Sequence, residues 1–476
     1  MRNLTMMTDL YQLTMMYGYY KTNTHKRQAV FDLFFRKPNN NSSYAIAAGL
    51  EQVIDYIENL HFDKEDIDYL NSLNLFNDEF LDMLRELHFT GDIYAVPEGT
   101  VVFPNEPMVR VKAPLMEAQL IETALLNIIN HQTLIATKAS RVVMAAQGGS
   151  VLEFGLRRAQ GPDAGIFGAR AAIIGGCSAT SNVLTGQMFG IPVKGTHSHS
   201  WVMSFPDELT AFRAYADAFP DSCLLLVDTY NTLKSGLPNA ITVFKELREK
   251  GYEPMGIRLD SGDLAYLSKK ARIMLDEAGF PNAKIVASND LDEELIWDLK
   301  AQGAKIDIFG VGTSLITSRD CPALGGVYKM SAEEINGVMV PKIKISENPD
   351  KITNPGYKKV VRIYNGGHKA VADLIMLDEE EIDTSKPLTI FDPVDTWKRM
   401  TIRHYSIKEL LVPIFVKGKR VYKTPALMDI QAYAKSELDT LWDEYKRLKN
   451  PHVYKVDLSQ KLYDLKQKLL KEYSQS

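Results

Sequence analysis

The stretch CLLLVDTYNTLKSGLPNAITVFKELREKGYEPMGIRLD, residues 223–260, decides the fold class. It opens and closes on one device, a short apolar run that ends on an aspartate. Runs of this length without polar alternation read as strands buried on both faces, and such strands belong to parallel sheets covered by helices. Short apolar runs with other chemistry-capable residues at their ends recur in SVLEFG (150–155), IPVKGT (191–196), AKIVASN (283–289) and KIDIFGVG (305–312). Asp228, Asp260 and Asn289 follow one another at about thirty residues, the length of one strand-helix repeat. Helix starts are signalled by Pro206-Asp-Glu-Leu-Thr before AFRAYADAF, Ser261-Gly-Asp before LAYLSKKARIMLDEAG, and Asp290-Leu-Asp before EELIWDLKAQG. Six such units predict a parallel α/β barrel or a large open α/β sheet. In either architecture ligands gather at the carboxyl ends of the strands.

The 476 residues exceed what one core supports, so two domains are expected. Residues 1–125 read as an α+β domain, with helical YQLTMMYGYY and strand-like AVFDLFF (29–35) and MVRVKAP. The strand-like VMVPKIKIS, KKVVRIYN and HKAVADLIML, within about 331–405, are expected to complete it. Residues 126–330 form the barrel domain, and the charged residues 406–476 are expected to be a helical surface tail.

A formal net charge of −5 gives no global field for nucleic acid or an acidic membrane surface, so any phosphate-binding charge must be local. Cys177, Cys223 and Cys321 form neither a disulfide framework nor a zinc spacing, which fits a reducing cytoplasm. The opening MRNLTMMTDLYQLTMMYGYY carries Asp9 and Gln12 where a secretory signal needs an unbroken apolar stretch. No segment is apolar over a length that would span a bilayer.

KGTHSHSW (194–201) holds two of the nine histidines. On an extended segment His197 and His199 would share a face, as in metal-dependent barrel hydrolases. A catalytic zinc takes three protein ligands, however, and the other strand ends offer no further histidine. A polar turn with satisfied imidazoles is the bland reading, and a single reactive histidine is the favoured one. A reactive imidazole needs a free nitrogen toward the substrate and an acceptor for its other N–H. Asp228 is the natural orienter, although Asp228 and Asp260 also read as helix caps. FGVGTSL (309–315) is a glycine turn whose N–H groups suit a phosphate. Arg157, Arg158 and Arg258 suit a bidentate grip on phosphate or carboxylate, whereas Lys138, spaced helically with Arg141, also reads as part of a solvated face.

Taken together, TDLYQLTM (8–15), EFGLRRAQGPDAG (153–165), GTHSHSW, VDTYNT (227–232), IRLDSGDL (257–264) and FGVGT with ALGGVYK resemble the nicotinate phosphoribosyltransferase family, in order from about residue 8 to 330. The resemblance implies an irregular, TIM-like α/β barrel and the first step of NAD salvage. In that step nicotinate and phosphoribosyl pyrophosphate give nicotinate mononucleotide and pyrophosphate, coupled to ATP hydrolysis with Mg2+. It also implies a homodimer with shared active sites. The family's GTxxHS pattern puts the phosphorylated histidine at His199. By the same matching Asp228 orients that ring. Phe154 and Tyr11 of the partner subunit stack on the pyridine. Arg157 and Arg258 hold the nicotinate carboxylate and substrate phosphates, with Lys138 among the substrate-binding residues. Asp260 meets ribose hydroxyls, and Asn289, Gly310, Gly312 and Thr313 the 5′-phosphate. The metal has no direct protein ligand, Asp228 and Asp260 reaching it through water.

His197 falls where the family pattern is free, and the aspartate that nicotinamide-using relatives carry near Cys177-Ser178 is absent, which favours an anionic base. VDTYNT lacks the acidic pair and TG of the other large phosphoribosyltransferase class. Two rival readings are a metal-dependent barrel hydrolase using His197 and His199, and a non-catalytic phosphosugar-binding protein.

Overall fold

Four of the apolar runs that end in polar residues become the central strands of one parallel sheet. The computed structural model describes residues 3–37 and 42–474, so residues 1–2 and 38–41 of the expected first domain and 475–476 of the expected C-terminal segment lie outside the described residues. The chain divides into two units, Met1–Leu134 with Ala323–Ser476, and Ile135–Pro322.

In the second unit the strands are β1 (Ser150–Glu153), β2 (Ala179–Thr180), β3 (Leu224–Leu226), β4 (Gly256–Leu259), β5 (Lys284–Ala287) and β6 (Ile308–Val311). They pair in the order β2-β1-β6-β5-β4-β3, every pair parallel. This order is a cyclic permutation of the chain order, and the one sequential pairing missing among the described residues is that of β2 with β3. Leu224, Leu225, Leu226, Ile257, Leu259, Ile285, Val286 and Ala287 are buried, as strands covered on both faces require. The expected strand at IPVKGT shrinks to a single parallel bridge from Val193 to Thr180. Pro192 accepts the Thr180 N–H through its carbonyl but has no N–H of its own to extend the ladder.

Helices Glu208–Ala218, Leu264–Glu277 and Glu293–Ala301 follow, capped by the side chains of Asp207, Asp263 and Asp292. The caps Asp263 and Asp292 thus fall three residues beyond Asp260 and Asn289. Asp228 and Asp260 cap nothing, and both carboxylates are left for the strand ends.

The first unit is built on a seven-stranded antiparallel sheet ordered Val338–Pro341, Gly326–Ile335, Gln28–Phe35, Val109–Pro114, Asp92–Ala95, Val412–Val416, Lys419–Arg420. Helices Leu50–Glu58, Lys64–Ser72 and Asp78–Arg85 present Val53, Ile54, Ile67, Leu70, Phe80 and Leu84 to the same apolar core. A second sheet joins Tyr405–Glu409, Lys358–Asn365, Ala370–Leu377 and Val456–Leu458.

Residues 406–476 are therefore not a helical surface tail. They supply strands to both the seven-stranded and the four-stranded sheet, and helix Leu427–Thr440 turns Glu437 inward. Arg362, fully buried, holds Asp373 at 2.6 Å and Glu437 at 2.9 Å and donates to the Val101 carbonyl at 2.8 Å. The Tyr454 hydroxyl donates to Asp373 at 3.0 Å. Replacing one member of such a group strands the opposite charges without solvent. Arg362→Met is expected to cost about 3–5 kcal/mol of stability, measurable as a lowered denaturant midpoint; a loss below about 1 kcal/mol would contradict this view of the C-terminal segment.

Candidate active site

Parallel pairing brings the residues after β3, β4, β5 and β6 to one edge: Asp228 and Thr229, Asp260 and Ser261, Ser288 and Asn289, Gly312 and Thr313. Asp228 Oδ2 accepts the Asp260 backbone N–H at 2.8 Å and the Ser261 hydroxyl at 2.6 Å, bracing the turn that presents Asp260. Asp260 Oδ1 accepts from Arg258 Nη2 at 3.0 Å and from the Ser288 hydroxyl, and Arg258 Nε donates to Ser288 Oγ at 2.9 Å. Burial works to raise the Asp260 pKa, but Ser288, Arg258 and His199 together hold it below the usual carboxylate range.

His199 opens the short helix His199–Met203 and is partly exposed. Its Nε2 lies 3.5 Å from Asp260 Oδ2, and its Nδ1 lies 3.1 Å from Thr229 Oγ1. The carboxylate favours the proton on Nε2, which leaves the Nδ1 lone pair facing the Thr229 hydroxyl. Asp228 therefore does not orient the ring. Thr229 and Asp260 do, and Asp228 acts one step back by holding Asp260.

The two histidines do not share a face. His197 is 7% exposed, with Nε2 accepting the Leu226 backbone N–H at 3.2 Å and Nδ1 3.4 Å from the Ser198 carbonyl. Both of its ring nitrogens are engaged, which removes the two-histidine metal clamp required by a barrel hydrolase. Among the described residues no cluster of three or more His, Cys, Asp or Glu could hold a metal directly.

Phe154 follows β1, half-buried, with its ring against Gly310. A Cβ at Gly310 would stand 2.7 Å from Phe154 Cδ2, and one at Gly312 3.2 Å from the Phe154 carbonyl oxygen. The glycines of FGVG thus leave room for Phe154 as well as an open N–H turn. Thr313 begins a short helix after Gly312. Asn289 is exposed with φ 101°, a left-handed conformation seldom adopted by side-chain-bearing residues outside turns and sites. Arg157 is exposed on the turn Leu156–Arg158.

Lys138 departs from the solvated-face reading. It is 6% exposed and lies 2.6 Å from both Glu293 and Asp320, with Arg141 sharing Glu293 at 3.2 Å. Its charge is engaged inside the fold. Tyr11 belongs to the other unit, on helix Leu10–Lys21; partial burial and the Glu122 carboxylate push its hydroxyl pKa up to about 12.

Thr229, Ser288, Ser261 and Glu153 escaped the reading of the sequence. Small hydroxyls at strand ends carry no pattern, although each adjoins a residue that was singled out. Glu153, fully buried at the end of β1, accepts from the Thr180 hydroxyl at 2.6 Å and from the Gly155 N–H. Its burial raises its pKa against those hydrogen bonds. A lone carboxylate ending an apolar run was its only signal.

Strand carboxyl ends that gather an imidazole, carboxylates and an arginine form the kind of crevice in which α/β folds bind their ligands. Family profiles match along the chain: nicotinate phosphoribosyltransferase N-terminal domain over residues 6–130, the family itself over 150–367, and its C-terminal domain over 357–466. The chain is 52% identical to nicotinate phosphoribosyltransferase of Bacillus subtilis over 99% of its length and 96% of that protein. It is 33% identical to the Homo sapiens protein of that name over 97% of this chain and 95% of that one. The crystal structure of human nicotinic acid phosphoribosyltransferase superposes with a TM-score of 0.85 at 32% identity, covering 97% of this chain and 99% of that one. This chain belongs to the nicotinate phosphoribosyltransferase family and is an enzyme. No helix among the described residues is long and apolar enough to cross a membrane.

Burial, followed by the charges of Arg258 and His199, lowers the His197 pKa from 6.5 to about 4, against the Ser198 carbonyl, which raises it; Phe212 and Tyr215 enclose the ring. The unfolded chain therefore takes up this proton first. The stability that depends on neutral His197 is complete above pH 6.5 and is lost as pH falls through about 4, to the extent of about 3 kcal/mol. His197→Gln, which keeps an acceptor but does not titrate, is expected to lose less stability than the unmodified protein between pH 7 and 4.5 in denaturant unfolding. Equal losses would contradict the assignment.

Proposed function

We propose that the enzyme transfers a phosphoribosyl group to nicotinate, coupled to ATP through a phosphohistidine at His199, as a step of NAD biosynthesis. The observation that carries this reading is the His199 ring held between Thr229 and Asp260 at the strand ends of a chain matched by this family's profiles. The scaffold proposed for it is an irregular α/β barrel, supported by the cyclic strand order, with its seam between the Val193 segment and β3.

The Nδ1 lone pair attacks the γ-phosphorus of ATP, an N–P bond forms and ADP leaves. Asp260 balances the positive imidazolium that results. Water later breaks the N–P bond and releases phosphate. In the transfer itself the bond from ribose C1 to pyrophosphate breaks and a bond to the pyridine nitrogen forms. Charge builds on the ribose, so alignment and electrostatics matter more than a base. The pyridine nitrogen carries no proton, and no base is called for. Phe154 offers one face to the pyridine, and Tyr11 of the partner subunit, in a homodimer with shared sites, offers the other. Arg157 meets the nicotinate carboxylate and Arg258 the substrate phosphates. Asn289 and the N–H groups of Gly310, Gly312 and Thr313 take the 5′-phosphate. The Lys138 charge is taken up by Glu293 and Asp320, so Lys138 is given no direct substrate contact.

Asp228 Oδ1 is buried without a hydrogen-bond partner while Oδ2 is doubly engaged. That free oxygen, with Asp260, fits Mg2+ held through water. When bound, the ion neutralises pyrophosphate charge.

The test is a product assay with phosphoribosyl pyrophosphate, Mg2+ and nicotinate, nicotinamide or quinolinate, each with and without ATP. Nicotinate mononucleotide, increased by ATP, is expected. No mononucleotide from any base would overturn the transfer and favour a phosphosugar-binding protein. His199→Ala is expected to abolish the acid-labile phosphoprotein and the ATP-dependent gain; a phosphoprotein retained in it but lost in His197→Ala would move the phosphoryl group to the other ring. Gly310→Ala is expected to displace the Phe154 ring and raise the KM for nicotinate about tenfold, the equivalent of about 1.4 kcal/mol; an unchanged KM would remove Phe154 from the pyridine site.

A further inference from the structure

Strand β3 is the edge of the parallel sheet, pairing among the described residues with β4 alone. In a parallel pair, successive residues of a strand direct their backbone groups alternately toward and away from the neighbour. Here the Cys223 carbonyl and the Val227 N–H bond to the β4 side, with Gly256 and Arg258. Leu226 therefore points its N–H the other way, to the edge where no strand lies among the described residues. Leu226 is 1% exposed, so this N–H has no access to bulk water and needs an acceptor. It finds one in a side chain, His197 Nε2 at 3.2 Å.

The acceptor is placed by its own surroundings. Nδ1 stands 3.4 Å from the Ser198 carbonyl, which calls for the N–H there and leaves the Nε2 lone pair for Leu226. Tyr215 meets the ring edge to face at 4.6 Å between centroids, and Phe212 packs at 6.2 Å. Four residues before His197, Val193 bridges to Thr180 at the opposite edge of the sheet. One short segment thus touches both edges, by backbone at Val193 and by an imidazole at His197. Two residues after His197 comes His199, whose ring reaches Thr229, three residues beyond Leu226.

We infer that His197 is a positioning residue for His199: its imidazole accepts the Leu226 N–H, ties the His199 segment to the free edge of β3, and so sets the distance from the His199 ring to Thr229 and Asp260. The tie is a feature of the fold alone. Its consequence for turnover rests on the chemistry proposed for His199.

The experiment uses full-length protein labelled with 15N-histidine, together with His197→Gln and His197→Met. Gln keeps a strong acceptor near the Nε2 position, and Met has similar length with only a weak thioether acceptor. In the unmodified protein His197 is expected to carry its proton on Nδ1, and the Leu226 amide to exchange slowly with deuterium. His197→Gln is expected to preserve slow exchange at Leu226 and the ring-nitrogen shifts of His199. His197→Met is expected to speed Leu226 exchange about tenfold or more, as the loss of a buried partner implies, and to move the His199 shifts. Under the proposed chemistry it also lowers the ATP-coupled kcat more than it changes the KM for nicotinate.

An Nε2-protonated His197 in the unmodified protein overturns the inference, and decides it alone should His197→Met fail to fold. So does unchanged Leu226 exchange in a folded His197→Met. Faster exchange with unmoved His199 shifts reduces His197 to a structural residue and equally overturns the positioning role. Absence of mononucleotide synthesis by the unmodified protein would instead count against the proposed transfer, while the exchange and ring spectra still judge the tie.

Discussion

The Asp260 carboxylate is the interaction on which the site depends. One oxygen is held by Arg258 and Ser288, from the ends of β4 and β5, and the other faces His199. Its backbone N–H is in turn fixed by Asp228, from the end of β3. Three consecutive strand ends are thus joined through one residue, and the imidazole is placed against a carboxylate held in its charged form. The arrangement is available only because the strands are parallel, so that all their carboxyl ends meet at one edge.

Much of this frame could be read from sequence, and the failures have identifiable causes. Short apolar runs located β1, β3, β4, β5 and β6, because strands covered on both faces leave no polar alternation to confuse them. IPVKGT misled because hydrophobicity does not register the missing N–H of Pro192. Asp228 was favoured as the partner of His199, but consecutive residues leaving a strand point to opposite sides. Thr229, its neighbour, takes the ring, and only the phase of the strand decides between them. Lys138 looked solvated because its partners Glu293 and Asp320 are far away in sequence. Residues 406–476 looked like a tail for a related reason. Val412–Val416 pairs with Asp92–Ala95, and Glu437 answers the charge of Arg362, neither of which leaves a local trace.

The histidine pair illustrates how much a single contact changes a reading. In sequence it is a symmetric motif, open to a metal clamp. In the fold the rings part: His197 turns inward to the edge of β3, and His199 outward to the strand ends. The difference comes from an unpaired edge N–H at Leu226, a backbone need that no composition or motif expresses.

A crystal structure of the protein with nicotinate mononucleotide bound shows whether these strand ends form a mononucleotide site. The pyridine ring is expected on Phe154, the 5′-phosphate on the backbone of residues 310–313, and the ribose beside Asp260. A nucleotide bound away from these strand ends, or one whose phosphate ignores the glycine turn, would contradict that assignment.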